Sequence, residues 1–335
     1  MNFFLRLFIL ISLLGISLLG CNNSITNEIN LPDHVPQISA TVIIEQGAME
    51  FSALVSASSS LDSDVGPYLI DDAVISLMSG GNNLYILDSN HFNSRLSLYV
   101  SSFPSSGSTT SSINTLIDIP DGQIDLIVSS PNYDEVYSTT YMPERPNPTI
   151  IYTPEIEVNS ENEASINITD QIDISFINNL DLDESFLIHM NAYFLDVESQ
   201  EIIEERMWLS SQDPRVRELN IFSNYTGTAI VDTLDSGNNG SYSLISDESV
   251  STISNGLENI TFFIDRIEKP DYYIFQYMIC SISSLSPSLA EHYHSVDSYL
   301  NQSDSPFAEP DLMFSNVSSG FGCFGMMNTY KQKLN

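Results

Sequence analysis

The chain has 335 residues, of which 44 are acidic and 10 are basic, so its formal net charge is -34. This charge excludes a nucleic-acid-binding role, because a phosphate backbone is bound by a footprint of Lys and Arg that the chain lacks. It also excludes attraction to an anionic membrane surface. The 16 Tyr and 17 Phe, with abundant Ile, Leu and Val, supply a hydrophobic core and exclude disorder throughout the chain.

Residues 1–20 have the pattern of a lipoprotein signal peptide and are excluded from the fold. Arg6 precedes an apolar run from Leu7 to Leu19, which ends in Leu18-Leu19-Gly20-Cys21. This ending resembles the lipobox of bacterial lipoproteins, whose cysteine carries the lipid after cleavage, and it predicts lipid attachment at Cys21. The alternatives are a secretory signal with an accidental cysteine, and a transmembrane helix, for which the run falls short of ~18 residues.

Lipidation at Cys21 predicts a location in the cell envelope. Removal of residues 1–20 takes away Arg6, so the remaining chain is more negative still and anionic lipid headgroups repel it. Attachment therefore has to come from acyl chains, at about 0.8 kcal/mol per buried methylene. The periplasmic or surface side of the envelope is left open. No later run of the sequence has the length of a membrane span.

The length of the chain predicts about two domains after the signal peptide. Residues 21–36 form a tether, and a proline-rich seam, Pro143-Glu144-Arg145-Pro146-Asn147-Pro148, follows much later. Such a stretch is stiff and cannot continue a strand ladder. The predicted domains are therefore residues 37–146 and residues 147–335.

Short runs in which apolar and polar residues alternate predict strands in residues 37–146. Turn residues such as Gly80-Gly81-Asn82-Asn83 separate the runs. About seven strands at this spacing favour an immunoglobulin-like or transthyretin-like β-sandwich. The predicted strands are Ile38–Glu45, Phe51–Ala57, Ala73–Leu77, Leu84–Leu87, Leu96–Val100, Ile124–Val128 and Val136–Tyr141.

The second domain has longer predicted strands. The run Tyr272–Ile282 is apolar on both faces, which favours a strand in the centre of a sheet. The other predicted strands are Glu155–Val158, Ile172–Ile177, Phe186–Leu195, Ile202–Leu209 and Leu257–Ile264.

One helix is predicted after the last of these strands. Ser286 can cap it and Pro287 suits its first position. The predicted fold class is therefore all-β, with two β-sandwich domains and one short helix near the C-terminus. Apolar residues recur at helical spacing at Leu289, Tyr293, Val296 and Leu300.

Several short motifs along the chain resemble one protein family. The specific ones are Pro306-Phe307-Ala308-Glu309-Pro310, Ser315-Asn316-Val317 and Gly320-Phe321-Gly322-Cys323-Phe324-Gly325. Together with the lipobox, Ile29-Asn30-Leu31-Pro32 and Asp72-Ala73-Val74-Ile75-Ser76-Leu77, they look like the Bacteroidota envelope lipoproteins of domain-of-unknown-function family 4249. The resemblance covers essentially the whole chain after the signal peptide.

The resemblance implies an envelope lipoprotein, often encoded near outer-membrane TonB-dependent transporters, and such a transporter is a candidate partner. It implies no catalytic residues. The motif residues are expected to be structural; they are Pro306, Phe307, Glu309, Pro310, Asn316, Gly320, Gly322, Phe324 and Gly325.

Three patterns look like ligand sites but lack a required part. The G-x-G-x-x-G run at Gly320–Gly325 lies too close to Asn335 for a dinucleotide fold, so a glycine-rich terminal strand is predicted. His292 and His294 project about 200° apart on the predicted helix and could share a metal ion only in an extended segment. Asn179–Glu184 alternates oxygen ligands but lacks the EF-hand glycine and glutamate, which leaves calcium binding by loops open. No metal or other cofactor is predicted.

No motif in the sequence points to a catalytic mechanism. The patterns G-x-S-x-G and H-E-x-x-H are absent, and His34, His91 and His189 are scattered. Acid pairs such as Asp62 with Asp64, or Asp71 with Asp72, could serve glycoside hydrolysis, for which the separation of the carboxylates decides. No catalytic residue is therefore assigned.

Cys280 and Cys323 are the two thiols that remain after lipidation. Export to an oxidising compartment allows a disulfide between them. Two buried free thiols in adjacent strands fit the sequence equally well.

These observations predict a lipid-anchored envelope protein that acts as a binding or accessory component, with a TonB-dependent transporter as candidate partner. One alternative is a surface hydrolase acting on glycan or peptide, which a cleft with converging carboxylates or a Ser-His pair would favour. The other is a passive adhesion or spacer module, which predicts no cleft. Catalysis stays open, with binding favoured over it.

Overall fold

The computed structural model describes residues 34–59, 68–101, 116–159, 166–176, 185–219, 242–245, 259–264, 272–302 and 313–335. Strands make up 61% of the structure and helices 8%, with one helix near the C-terminus. The predicted all-β fold class is therefore confirmed.

The strands of the first half follow the predicted alternation closely. The first strand has the predicted bounds, and each of the other predicted runs overlaps a strand, because the burial of every second side chain is a local property of the sequence. The strands are β1 (Ile38–Glu45), β2 (Ser52–Ala57), β3 (Tyr68–Leu69), β4 (Val74–Ser79), β5 (Asn82–Leu87), β6 (Phe92–Asn93), β7 (Leu98–Val100), β8 (Gln123–Ser130) and β9 (Tyr133–Tyr141).

The second half contains the longer strands and the helix α1 (Pro287–Gln302). The predicted run Ile202–Leu209 is divided into two strands by Met207 and Trp208. The strands are β10 (Pro148–Asn159), β11 (Ile166–Phe176), β12 (Ser185–Asp196), β13 (Ile202–Arg206), β14 (Leu209–Ser210), β15 (Val216–Leu219), β16 (Tyr242–Ile245), β17 (Ile260–Ile264), β18 (Tyr273–Leu285) and β19 (Phe321–Leu334).

The strands of the described residues pair into three sheets. The largest has the order β15-β16-β12-β18-β19-β1-β2-β7-β6, with β13 beside β12 and β3 beside β2. The smaller sheets have the orders β5-β4-β8-β9 and β10-β11-β17-β14. Since β18 lies between β12 and β19, the strand that was predicted to be central is central.

Both small sheets cover the same face of the large sheet. On β19, Phe324 and Met326 belong to the core shared with β4 and β8, whereas Leu334 belongs to the core shared with β11 and β17. Cys323 and Met327 lie at odd-numbered positions of β19, so their side chains are on the opposite face of the sheet. There they contact the buried side of α1. Because side chains alternate along a strand, two sandwich cores lie on one face and the helix lies on the other.

The last strand of the chain joins the two halves. β19 pairs in parallel with β1, from Ser39 opposite Phe321 to Glu45 opposite Met327, and antiparallel with β18. The boundary predicted between residues 146 and 147 falls in an irregular segment, residues 142–147, while β19 supplies side chains to the cores on both sides of it.

The proline-rich seam ends one residue earlier than predicted, because Pro148 is the first residue of β10 and lies opposite Phe176. β10 is an edge strand of its sheet. A proline lacks the N–H that a ladder needs, and it is therefore accepted at the first residue of an edge strand. The last residue of the proline-rich seam is therefore also the first residue of a strand.

Helix α1 buries the predicted stripe. Leu289, Tyr293 and Val296 are each no more than 2% exposed and pack on the large sheet. The hydroxyl of Ser286, which was expected to cap the helix, accepts the N–H of Met326 at 3.0 Å and so serves the sheet. Among the described residues, no helix has both the length and the apolar character needed to cross a membrane.

Candidate ligand-binding pocket

An open pocket lies between the large sheet and the sheet that contains β10 and β11. Its volume is about 270 Å³, close to the lower end of the range for small-molecule sites. The described residues that line it are Tyr152, Asp170, Ala192, Phe194, Met207, Phe275 and Met278.

The floor and one wall of the pocket are apolar. Ala192, Met207 and Met278 are each at most 4% exposed and form the floor. Phe194 and Phe275 meet edge to face, with ring centroids 5.9 Å apart and an interplanar angle of 70°. Phe275 is 46% exposed, which places its ring at the mouth of the pocket. A ligand that enters would therefore exchange water for apolar and aromatic contacts.

The carboxylate of Asp170 is the one acidic group among the described lining residues. Asp170 is 4% exposed. Its Oδ2 accepts the hydroxyl of Tyr152 at 3.0 Å, and its Oδ1 accepts the N–H of Glu155 at 2.9 Å. Both partners donate, and an ionised carboxylate is an acceptor only, so the two bonds suit the charged form of Asp170.

A bulge in β10 positions one of these donors. The register between β10 and β11 shifts between Thr153 and Ile156, and Glu155 within the shift has a φ of 57°. A non-glycine residue in this left-handed region is uncommon. The bulge turns the N–H of Glu155 toward Asp170, which gives the unusual backbone conformation a partner in the pocket.

A second bulge positions the aromatic wall. Tyr193 of β12 lies opposite Tyr277, whereas the next residue, Phe194, lies opposite Phe275, so Gln276 is the extra residue of β18. This shift brings Phe275 to the side of the sheet that faces the pocket. Bulges occur often next to functional sites because they redirect single side chains.

Asp170 was not predicted as a site residue, because the strand predicted there began at Ile172. The strand is longer, and Asp170 continues the inward positions of Ile172 and Ile174, each 1% exposed. An acidic residue at an inward position of a strand is rare unless it has a hydrogen-bonding or charged partner. This position of Asp170 was the one feature of the sequence that could have indicated a site residue. The aromatic wall depends on strand pairing and had no comparable signal.

Several predicted site residues lie outside the described residues. These are the lipid-attachment cysteine, the acid pair near residue 63, the loop with a calcium-like pattern and the first of the C-terminal motifs. They are Cys21, Asp62, Asp64, Asn179–Glu184, Pro306, Phe307, Glu309 and Pro310.

The described part of the C-terminal motif lies at the joint between β1, β19 and α1. A Cβ atom on Gly320 would lie 2.4 Å from the carbonyl oxygen of Ile38, and one on Gly322 would lie 2.0 Å from that of Ala40. A Cβ on Gly325 would lie 2.7 Å from the side chain of Leu289. The glycines thus allow a close approach of neighbouring backbone and helix. Phe324 is fully buried in the core that β19 shares with β4 and β8, beside Asn316.

The disulfide considered between Cys280 and Cys323 is not formed, since both thiols are free and buried. Cys280 lies opposite Gln332 of β19, nine positions along that strand from Cys323. At about 3.3 Å per residue this places the two cysteines roughly 30 Å apart. Burial raises the pKa of each thiol to about 12. The alternative of two buried free thiols on adjacent strands describes the structure.

The two histidines of α1 have different partners. Nδ1 of His292 lies 3.3 Å from the carbonyl oxygen of Phe314, whereas Nδ1 of His294 lies 3.4 Å from Nη1 of Arg217. Asp297, close to them in sequence, forms an ion pair with Arg217 at 2.8 Å. Within the described ranges, no group of three or more His, Cys, Asp or Glu side chains has the geometry to hold a metal ion.

The other residues considered for catalysis have local contacts outside the pocket. His91 contacts Asp88, with Nδ1 and Oδ1 2.9 Å apart, and Asp72 accepts the hydroxyl of Ser130 at 2.8 Å. His189 lies on β12 opposite Ser281. None of these side chains lines the pocket that contains Asp170.

A comparison of the chain with protein-family models gave no match, and a comparison with curated protein sequences gave no significant match. The resemblance drawn from the C-terminal motifs therefore stays a prediction.

Proposed function

We propose that this chain is a lipid-anchored envelope protein that binds a small ligand in the pocket beside Asp170, as an accessory component without chemistry of its own. The observation that carries the proposal is the composition of the pocket. It combines an apolar floor, an aromatic wall and one buried carboxylate in about 270 Å³. Small-molecule sites have this combination of apolar lining and few polar groups.

The location and the partner are parts of the same proposal and have their own support. The lipobox ending at Cys21 supports a lipid anchor, and the motif resemblance supports the outer membrane and a TonB-dependent transporter as partner. A protein held by acyl chains stays near other proteins of its membrane. Ligand bound beside Asp170 could then be passed to the transporter over a short distance.

The pocket also bears on the two alternatives. A spacer module predicts no cleft, so the pocket favours binding over that alternative. Glycoside hydrolysis uses two carboxylates a few ångströms apart. Asp170 is the one carboxylate among the described lining residues, which favours binding over hydrolysis at this site.

The experiment is a titration of the purified full-length chain with 3-phenylpropan-1-ol, followed by calorimetry or by saturation-transfer NMR. Its phenyl ring suits the aromatic wall, and its hydroxyl can donate to Asp170. We expect a Kd of about 1 mM, because roughly ten heavy atoms at about 0.4 kcal/mol each give about 4 kcal/mol.

Two matched variants locate the binding. Phe275→Ala removes half of the aromatic wall and should weaken binding at least about fivefold, a loss of about 1 kcal/mol. Phe321→Ala removes a ring of nearly equal exposure, 47% against 46%, from the far end of β19, and should leave binding unchanged. Absence of binding, or an equal effect of the two variants, would contradict the proposed site.

A further inference from the structure

We propose that the ligand of this pocket is a protonated amine with an apolar body. This assignment depends on the binding function proposed above, because it names the ligand class of the same site. The juxtaposition that carries it is a buried carboxylate, Asp170, beside the aromatic side chains of Tyr152, Phe194 and Phe275.

The carboxylate supplies the charge preference. The hydroxyl of Tyr152 and the N–H of Glu155 orient its two oxygens, and Asp170 itself is only 4% exposed. A carboxylate offers about four acceptor positions, so several donors can share it. In a medium of low polarity its attraction for a cation is much stronger than in water. An ammonium group is the donor that gains most from it.

The aromatic side chains supply a second attraction for the same group. A cation is attracted to the face of an aromatic ring within about 6 Å of the centroid. Tyr152 is in contact with Asp170 through its hydroxyl, and Phe194 and Phe275 meet edge to face at the mouth. The rings of Phe194 and Phe275 are inclined by 70° to each other, so the aromatic wall offers both a ring face and a ring edge to a ligand in the pocket.

The volume of the pocket and the net charge of the protein both agree with a protonated amine as the ligand. A volume of about 270 Å³ corresponds to roughly nine water molecules at about 30 Å³ each, and suits a ligand of about ten heavy atoms. The formal net charge of -34 raises the local concentration of cations and lowers that of anions. An anionic ligand would in addition be repelled by Asp170.

The test compares three probes that share a phenyl ring and a three-carbon chain: 3-phenylpropylamine, 3-phenylpropan-1-ol and 3-phenylpropanoate. Each is titrated into the full-length chain at pH 7. We expect the amine to bind about tenfold more tightly than the alcohol, since the ammonium group adds the attraction of opposite charges to the hydrogen bond with Asp170. The carboxylate should bind at least tenfold more weakly than the alcohol.

Asp170→Asn tests the group that recognises the amine. The variant keeps the shape of the side chain and removes its charge, so the amine should lose about tenfold in affinity and the alcohol less than twofold. Asp173→Asn is the matched control. Asp173 lies three positions along the same strand, on the other face, where it accepts the hydroxyl of Thr261 and the side-chain amide of Gln171. Both affinities should stay within twofold in this control.

Phe275→Ala distinguishes binding in the pocket from binding to the acidic surface of the protein, which could attract any amine. Binding in the pocket requires this variant to weaken the amine at least fivefold, and an unchanged affinity would overturn the assignment. If Asp170→Asn does not fold, the amine affinity of Phe275→Ala relative to the wild type still decides whether the amine binds in the pocket. Equal binding of amine and alcohol would overturn the amine assignment and leave the binding function standing. Failure of all three probes to bind would overturn both.

Discussion

Asn316 binds both backbone hydrogen-bonding groups of Phe324. The N–H of Phe324 donates to Oδ1 of Asn316 at 2.9 Å, and Nδ2 of Asn316 donates to the carbonyl oxygen of Phe324 at 2.8 Å. The pairing of β18 with β19 reaches only to Met327, so Phe324 lies beyond it. The side-chain amide therefore takes the place that a neighbouring strand would occupy, and it satisfies backbone groups of a fully buried residue.

Replacement of Asn316 should destabilise the fold. Asn316→Ala removes both bonds and should lower the free energy of unfolding by about 2 kcal/mol, at about 1 kcal/mol per bond. Asn316→Asp keeps the acceptor for the N–H of Phe324 but places a carboxylate oxygen against its carbonyl oxygen, so we expect a loss at least as large as that of Asn316→Ala. Asn83→Ala, at an exposed position of β5, is the control and should cost less than about 0.5 kcal/mol. Urea denaturation measures all three variants, and a similar loss for Asn316→Ala and the control Asn83→Ala would contradict the bonding pattern.

Gly322→Ala tests the close approach of β19 to β1. Gly322 has a φ of 113°, and a Cβ there would lie 2.0 Å from the carbonyl oxygen of Ala40. Gly47→Ala is the matched control, because Gly47 also has a positive φ, 79°, but its added Cβ would meet no atom within 4 Å. We expect a loss of about 1 kcal/mol for Gly47→Ala. The loss for Gly322→Ala should be at least 2 kcal/mol larger, and similar losses would show that contact with Ala40 is unimportant.

The elements that depend on local alternation were predictable from the sequence. β1 has the predicted bounds because its side chains alternate between buried and half-buried positions over most of its length. Helix α1 was predicted from Pro287 and from apolar positions at helical spacing. The central position of β18 followed from its apolar residues on both faces. In each case the pattern lies within about fifteen residues, so neighbours in sequence are sufficient.

The features that depend on pairing between distant segments were not predictable in the same way. The parallel register of Ser39 with Phe321 joins strands from opposite ends of the chain, and alternation alone does not select a partner. The pocket has the same origin. Tyr152, Asp170 and Phe275 come from three strands, and two bulges bring them together. The motif around Gly322 was recognised as a motif, but its physical reason, the approach to Ala40, required the structure.

The two buried thiols should be unreactive in the folded protein. Burial raises the pKa of Cys280 and of Cys323 to about 12, so almost no thiolate exists at pH 8. A thiol reagent that absorbs on reaction should therefore label neither cysteine in the native chain, and should label both in denaturant without prior reduction. Rapid labelling of the native chain would contradict their burial. Failure to label in denaturant would indicate a disulfide.

Cys21→Ser tests the lipid anchor. If Cys21 carries the lipid, this change should move the protein from the membrane fraction to the soluble fraction and abolish labelling by radioactive palmitate. Cys280→Ser is the matched control, because it removes a cysteine that is buried in the core shared with β11 and β17. It should leave the membrane location and the palmitate labelling unchanged. Retention of the Cys21→Ser variant in the membrane with intact labelling would contradict the predicted lipobox.

The stability of the fold should fall on mild acidification because of His189. Its pKa is lowered from 6.5 to about 3, first by burial and then by the positive charges of Arg206 and Lys331. The residue as a whole is half-buried, but its Nδ1 atom is enclosed. In the unfolded chain His189 takes up a proton below about pH 6.5, whereas in the folded chain it stays neutral down to about pH 3. The unfolded state therefore binds more protons in this window, and stability is lost as the pH falls through it.

The expected size of this effect is at most about 2 kcal/mol between pH 7.5 and pH 5. His189→Gln removes the titrating group, so the difference in the free energy of unfolding between these two pH values should shrink by that amount relative to the wild type. The comparison cancels the contributions of the acidic residues and of His292, whose pKa is also lowered by burial. Arg206→Gln removes one of the charges that act on His189, and should reduce the acid sensitivity by less. Equal acid sensitivity of the wild type and His189→Gln would show that His189 is not held neutral by the fold.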